Sequence, residues 1–318
     1  MSVLNHKVYV LLTAFSAVVR GAIATRPAVA VSPFAQKALT IVSSHPIVKS
    51  NPYTEWFARG EATIEQSRDL VQQFSVFSNL FLLAQLNKVI NAPTIEEMRE
   101  GKEILANEIG VVFKPKNQKR NGMSAGFDPS VVSTTGSVEG GVYSNRAAHF
   151  EWLCDVGHSL GMRFEDLGKR RLGSEATLHF CDKLFEIYGS EDLSVSLGAS
   201  FAIEHWANAG FWDHLVDGFT KLNARPGPGV LLDDGTVSHT APLGFWKFHQ
   251  VLEAQHAEHT MDELEEAYAC GRIADEAKFE EAANAMLDAC AVFWAGLDAT
   301  RKGESYVLPA SSKAKFDI

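Results

Sequence analysis

The sequence predicts an all-α protein, and three observations carry that expectation. Apolar residues recur at three- and four-residue spacing in several long stretches, among them Phe74, Phe77, Phe81 and Leu82. Helix-start chemistry precedes such stretches, as in Thr63-Ile64-Glu65-Gln66, where Thr63 caps and Gln66 stands three residues on. No long stretch alternates with period two, and no repeat of 20–50 residues is visible. The chain has 318 residues, 46% of them hydrophobic and 21% charged, which suits a globular protein with a sizeable core.

Taken in order, residues 1–45 are expected to form an N-terminal helical extension. Within it the apolar run Val8 to Val19 follows Lys7, and Ala22-Ile23-Ala24 comes after. That run is too short to span a bilayer and resembles a weak signal peptide, but a docking helix is the preferred reading. Asn51-Pro52-Tyr53 opens a short helix that Gly60 ends. A long helix runs from Ile64 to about Asn91, and Pro93-Thr94 leads into another from Ile95 to Ile109. Residues 111–145, rich in Gly, Ser, Asn, Lys and Thr, carry little periodicity and are expected to be an insertion that is either disordered or a functional lid. Helices are expected again from Asn145 to Leu160, Glu175 to Tyr188, Leu193 to Gly210 and Phe211 to Leu222. The Pro/Gly-rich segment 223–242 is a second insertion holding the only short strand-like pieces. A helix starts near Gly244 and either continues past His259 or restarts at Thr260, and a last one spans Ala274 to Leu297. The expected organisation is one helical domain over 46–300 with a tail at 301–318.

The net charge of −10 excludes the basic field that a nucleic-acid partner requires; the basic run Lys114 to Arg120 is too short to supply one. Cys154, Cys181, Cys270 and Cys290 form no CxxC pair and no zinc framework, so free thiols in a reducing cytoplasm are expected.

The chemistry concentrates in Phe245-Trp246-Lys247-Phe248-His249-Gln250-Val251-Leu252-Glu253-Ala254-Gln255-His256. His249, Glu253 and His256 stand at i, i+4 and i+7, which at about 100° per residue places them within roughly 60° on one helical face. Two imidazoles and a carboxylate so placed make half of a metal site. Glu204 lies in the apolar sequence Ser200-Phe201-Ala202-Ile203-Glu204-His205-Trp206, where a charge needs a metal, an arginine or a proton. Glu108 ends an apolar-faced helix, where the macrodipole disfavours an anion. His149 precedes Phe150, Trp152 and Leu153. Each of these three has a plainer reading alone, as a solvated carboxylate or a core histidine. Together, Glu108, His149, Glu204, His249, Glu253 and His256 are three carboxylates and three imidazoles, a mixed set suited to two ferrous or manganese ions.

These residues resemble the heme-oxygenase-like diiron oxidases and oxygenases, a family that includes the chlamydial death-domain-associated p-aminobenzoate synthase, the alkene-forming fatty-acid decarboxylase and amine N-oxygenases. The likeness covers roughly residues 45–300. It rests on Asn107-Glu108-Ile109-Gly110, on His149 before Phe150-Glu151-Trp152-Leu153, on a lone Glu204, and above all on the His-x-x-x-Asp/Glu-x-x-His motif of His249, Glu253 and His256. Asn51-Pro52-Tyr53, Gly60-Glu61 and Phe293-Trp294-Ala295-Gly296-Leu297 are also similar. The resemblance implies a seven-helix bundle like that of heme oxygenase and TenA proteins, here with extra N-terminal helices. It implies two Fe(II) ions on those six residues, dioxygen as cosubstrate and a small amine- or carboxylate-bearing substrate that undergoes N-oxygenation, desaturation or oxidative C–C cleavage in a biosynthetic pathway. A homodimer and an external electron donor are compatible partners; a nucleic acid or a membrane is not.

The chain departs from the family in carrying Glu253 where Asp is usual. It also separates Glu108 from His149 by about 40 residues, which makes Glu139 a rival for the first carboxylate. His259 and Asp262 are the nearest substitutes on the last motif. Trp152, Phe201, Trp206, Phe245 and Phe248 are candidates for lining a pocket or for plain core. The alternatives are a metal-free member acting as a binding or scaffold protein, and a TenA-like hydrolase using Cys154 or Cys181. A ferritin-like site is disfavoured because only one Glu-x-x-His, Glu253 to His256, is present.

Overall fold

The computed structural model describes residues 31–113 and 141–309. The run Val8–Val19, the basic run 114–120, Glu139 and residues 310–318 lie outside the described residues.

Helix starts follow local capping chemistry. α1 (Pro33–Ser44) is capped by the Ser32 hydroxyl on the Ala35 N–H, α2 (Pro46–Lys49) by the His45 ring, and α3 (Pro52–Ala58) by the Asn51 side chain on the Thr54 N–H. Each carries proline in its first turn, where no N–H is needed. α4 (Ile64–Ile90) begins with the complete Thr63/Gln66 capping box. α5 (Ile95–Glu108) follows after a short link.

At Ile109 the sequence reading is corrected. Residues 109–113 form β1 (Ile109–Phe113), paired antiparallel with β2 (Gly141–Ala148), and the ladder pairs Ile109 with Ala148 and Phe113 with Gly141. The expected loop thus contains a two-stranded ribbon, and the helix placed at Asn145 starts four residues later, as α6 (His149–Ser159). Ribbon pairing, a long-range contact, overrides the helical spacing of residues 145–148. The register slips between Ile109 and Val111, and Gly110 there has φ +84°, a left-handed backbone suited to glycine at a bulge.

α7 (Glu175–Lys183) continues into a π-helical turn over Leu184–Tyr188. α8 (Leu193–Ala207) and α9 (Phe211–Asn223) are separated by Gly210 at φ +91°. The short strands β3 (Val230–Leu231) and β4 (Val237–Ser238) are the expected strand-like pieces. α10 (Gly244–Ala269) runs unbroken through His259 and Thr260. α11 (Glu276–Lys302) is longer than expected at its C-terminal end, because Asp298 pairs with both Arg301 and Lys302 in the last turn. The described residues are therefore mostly helical with few strands. Among them no helix is long and apolar enough to cross a membrane.

The core lies between α4, α7, α8, α10 and α11, with Phe74, Phe180, Phe201, Phe245, Trp246, Phe279, Phe293 and Trp294 buried there. α8 and α11 approach closely at Gly198, where a Cβ would collide with the backbone carbonyl of Phe279.

Candidate metal centre

Four segments bring the six candidate residues together. α10 presents His249, Glu253 and His256 on one face, and His249 and Glu253 are each only 6% exposed. α8 brings Glu204, whose Oε2 lies 3.2 Å from His256 Nδ1; Glu253 Oε2 lies 3.4 Å from the same nitrogen. Glu204, Glu253 and His256 each offer a donor atom within 4.8 Å of the others, close enough for one ion to bind all three.

The other two residues arrive on the ribbon. Glu108 immediately precedes β1 and His149 immediately follows β2, so the Ile109–Ala148 pair sets them side by side. Glu108 Oε2 is 2.8 Å from His149 Nδ1. The His149 and His249 rings meet edge to face with centroids 4.8 Å apart, joining the two halves. The separation of about 40 residues in sequence is thus closed by strand pairing. His259 and Asp262 point to solvent on the unbroken helix.

The electrostatics of the cluster are those of a site that needs positive charge. Burial alone would lower the His256 imidazolium, but its hydrogen bonds and attraction to Glu204 and Glu253 outweigh that and raise it to about 11. Burial raises the Glu253 carboxyl to about 6, helped by the negative charges of Glu204 and Glu108 and opposed by His256. Burial would also raise Glu204, yet the His256 contact, with Lys88 and His205, holds it below the ordinary carboxyl value. A protonated imidazole between two buried carboxylates occupies the place where a divalent cation would satisfy the same charges.

His249 is different: burial, then the neighbouring His149, press it well below its usual value, so it is neutral. Its Nδ1–H donates to the Phe245 carbonyl at 2.8 Å, leaving the Nε2 lone pair free to ligate, an arrangement common for metal-binding histidines. Burial opposes the charge on His149, but Glu108 outweighs it and raises the group.

Aromatic rings pack around the His149 and His249 half of the site. Trp212 stacks on His249 with centroids 4.6 Å apart, and Phe245 and Phe248 flank the same ring. Trp152 packs on Phe248 and Phe245. Of the aromatic pocket candidates, Trp152, Phe245 and Phe248 border the cluster, while Phe201 and Trp206 sit in the core, stacked on His205 and Phe211.

Sequence reasoning missed two neighbours. Trp212 is one. The other is Lys88, whose ammonium donates to the Ser200 hydroxyl at 3.1 Å, lies 3.6 Å from Glu263 and faces the Tyr188 ring. Burial works against its charge, but Glu263, Tyr188 and Glu204 prevail and raise it. A lysine inside the apolar run Phe81 to Ile90 was the available signal.

The candidate thiol nucleophiles fare poorly. Cys154 is buried and burial pushes its thiol up to about 12, while Cys181 is raised further by burial and Asp182. Neither forms a thiolate readily near neutral pH. His45 caps α2 and contacts Asp288. No family model matches this chain, and no curated protein matches it significantly.

Proposed function

We propose that this chain is a metal-dependent oxidoreductase built on a helical bundle. Within that class, we assign it to the heme-oxygenase-like diiron oxidases and oxygenases. The observation that carries the reading is the convergence of Glu108, His149, Glu204, His249, Glu253 and His256, in which three imidazoles and three carboxylates meet in a largely buried cluster. The donor set fits two Fe(II) ions in softness and in charge, since three carboxylates leave about one unit of positive charge for an anionic ligand. When bound, such ions supply the reduction of dioxygen and the oxidation of a small amine- or carboxylate-bearing metabolite.

The chain's own residues do the rest. The Phe245 carbonyl fixes the His249 tautomer, and Trp212 fixes its ring plane. The Glu108–His149 pair is held by the base of the ribbon rather than by a loop. His256 holds a proton between Glu204 and Glu253 that a metal must displace. Phe248 packs against the His149 ring, and Trp152 packs against Phe248 in turn.

Anaerobic titration with Fe(II) tests the reading. Two equivalents per chain, and a new absorption band on mixing with oxygen, are the expected results. A chain that binds no iron, and in which all six positions are replaceable by alanine without functional cost, is instead the metal-free binding protein.

A further inference from the structure

We infer that Trp212, Trp294 and Trp56 carry single electrons between the metal centre and the protein surface. The inference rests on the reading of the cluster as a centre that oxidises a substrate with dioxygen. A centre of that kind that turns over without substrate is left oxidised inside the core, beside its own ligands, and needs electrons to return to the ferrous state. Tunnelling falls off exponentially with distance, so a long transfer is fast only when split into short hops over groups that themselves lose an electron. The indole of tryptophan is such a group, and an aromatic ring lying between two indoles shortens the through-space gap.

The aromatic contacts supply the hops. Trp212 stacks on the His249 ring with centroids 4.6 Å apart, so the line begins on a candidate ligand. Phe211 lies between the first two indoles, 4.5 Å from Trp212 and 5.5 Å from Trp294. Tyr53 bridges the next pair, 5.6 Å from Trp294 and 5.4 Å from Trp56. Trp56 lies just beneath the surface, with the Arg301 guanidinium 4.5 Å from its ring. The indoles come from α9, α11 and α3, so no single helix's periodicity aligns them.

The indole N–H groups give the line an outer end. Those of Trp212 and Trp294 are buried and meet no acceptor, so neither indole has a place to leave a proton when it loses an electron, and each passes the hole on. The Trp56 indole is set against the carboxylate of Glu61, which is exposed. An indole radical cation is acidic, so its proton moves to Glu61 and on to solvent. For each electron passed inward, the centre is reduced by one unit and Trp56 is left as a neutral radical. A one-electron reductant in solution, of the ascorbate class, then returns one electron and one proton to Trp56.

Flash-quench photo-oxidation tests this. A ruthenium polypyridyl dye is attached at Arg59→Cys in the full-length Cys270→Ser chain, bound Fe(II) is counted, and a flash with an oxidative quencher draws an electron from Trp56. In the Fe(II)-loaded chain the indole radical is expected to decay severalfold faster than in the metal-free chain, with Fe(III) appearing at the same rate. Trp294→Phe should abolish that acceleration while the Trp56 radical still forms. Trp246→Phe should leave it, because the Trp246 indole reaches Trp56 only across the rings of Phe219 and Phe57. Should Trp294→Phe fail to fold, Trp56→Phe at the outer end serves, and is expected to remove both the radical and the fast iron oxidation. Glu61→Gln should shift the transient absorption to the longer wavelength of the protonated indole radical. Equal decay with and without bound Fe(II), or an acceleration that survives loss of Trp294 or Trp56, overturns the inference. A chain that binds no Fe(II) removes this inference and the proposed function together, whereas one that binds it and shows no acceleration removes this inference alone.

Discussion

His256 is the residue on which the apo site turns, because it carries the proton that balances Glu204 and Glu253. Its pKa is raised to about 11, so at any pH below that the folded apo protein holds the proton and a metal must expel it. The apparent affinity for Fe(II), or for Mn(II) as a redox-quiet substitute, should therefore rise about tenfold per pH unit between pH 7 and 8, with about one proton released per ion bound at this site. Below about pH 6 Glu253 also becomes protonated, and the dependence should steepen. Calorimetry in buffers of different ionisation enthalpy counts those protons, and a flat affinity profile would contradict the arrangement. His256→Ala should lower binding by at least about tenfold, a loss of about 1.4 kcal/mol or more. Glu108→Gln should instead weaken binding at the His149 side and leave the His256 proton release in place, as read by the same titration. At this scale the spacing of His249, Glu253 and His256 was legible, because helix periodicity alone puts them on one face. Glu204 was legible as a charge in an apolar helix. Trp212 and Lys88 were not recognised, since their roles depend on which helices meet, and no local pattern carries that.

The elements were legible where local chemistry dictates them. The Thr63/Gln66 box and the prolines opening α1, α2 and α3 fix helix starts without tertiary help. The ribbon of β1 and β2 was not legible, because its partners lie far apart in sequence and its register depends on pairing. Residues 145–148 had helical spacing and became strand. The close approach of α8 and α11 at Gly198 was equally hidden, as a glycine in an apolar helix gives no direction. Gly198→Ala forces a methyl against the Phe279 backbone and should cost about 1–3 kcal/mol, measured as a lower denaturation midpoint with an unchanged m-value. Because α8 also carries Glu204, the same variant should bind Fe(II) less tightly. Full affinity at reduced stability would show that helix spacing and ligand placement are independent.

Across the whole molecule, the mostly helical class was evident from periodicity, whereas the meeting of α5, α6, α8 and α10 at one cluster was an inference from a family pattern. Six buried or half-buried ionisable groups from four helices cost stability when unmetallated, so filling the cluster should raise the melting temperature. With free Fe(II) at 100 times its dissociation constant the gain is about 2.7 kcal/mol, and differential scanning calorimetry under anaerobic conditions would detect it. The absence of any such shift would argue that the cluster takes no ion. The ribbon has a further consequence. Since Ile109 pairs with Ala148 at its base, the geometry of Glu108 and His149 is insulated from the length of chain beyond Phe113 and Gly141. The entropy of closing that excursion varies only with the logarithm of its length, about 0.6 kcal/mol per doubling. Residues 114–140 should therefore tolerate shortening, lengthening or replacement by an unrelated sequence with no loss of Fe(II) binding. The excursion is a place where this chain can acquire or exchange a module, in evolution or in the laboratory, without touching its chemistry.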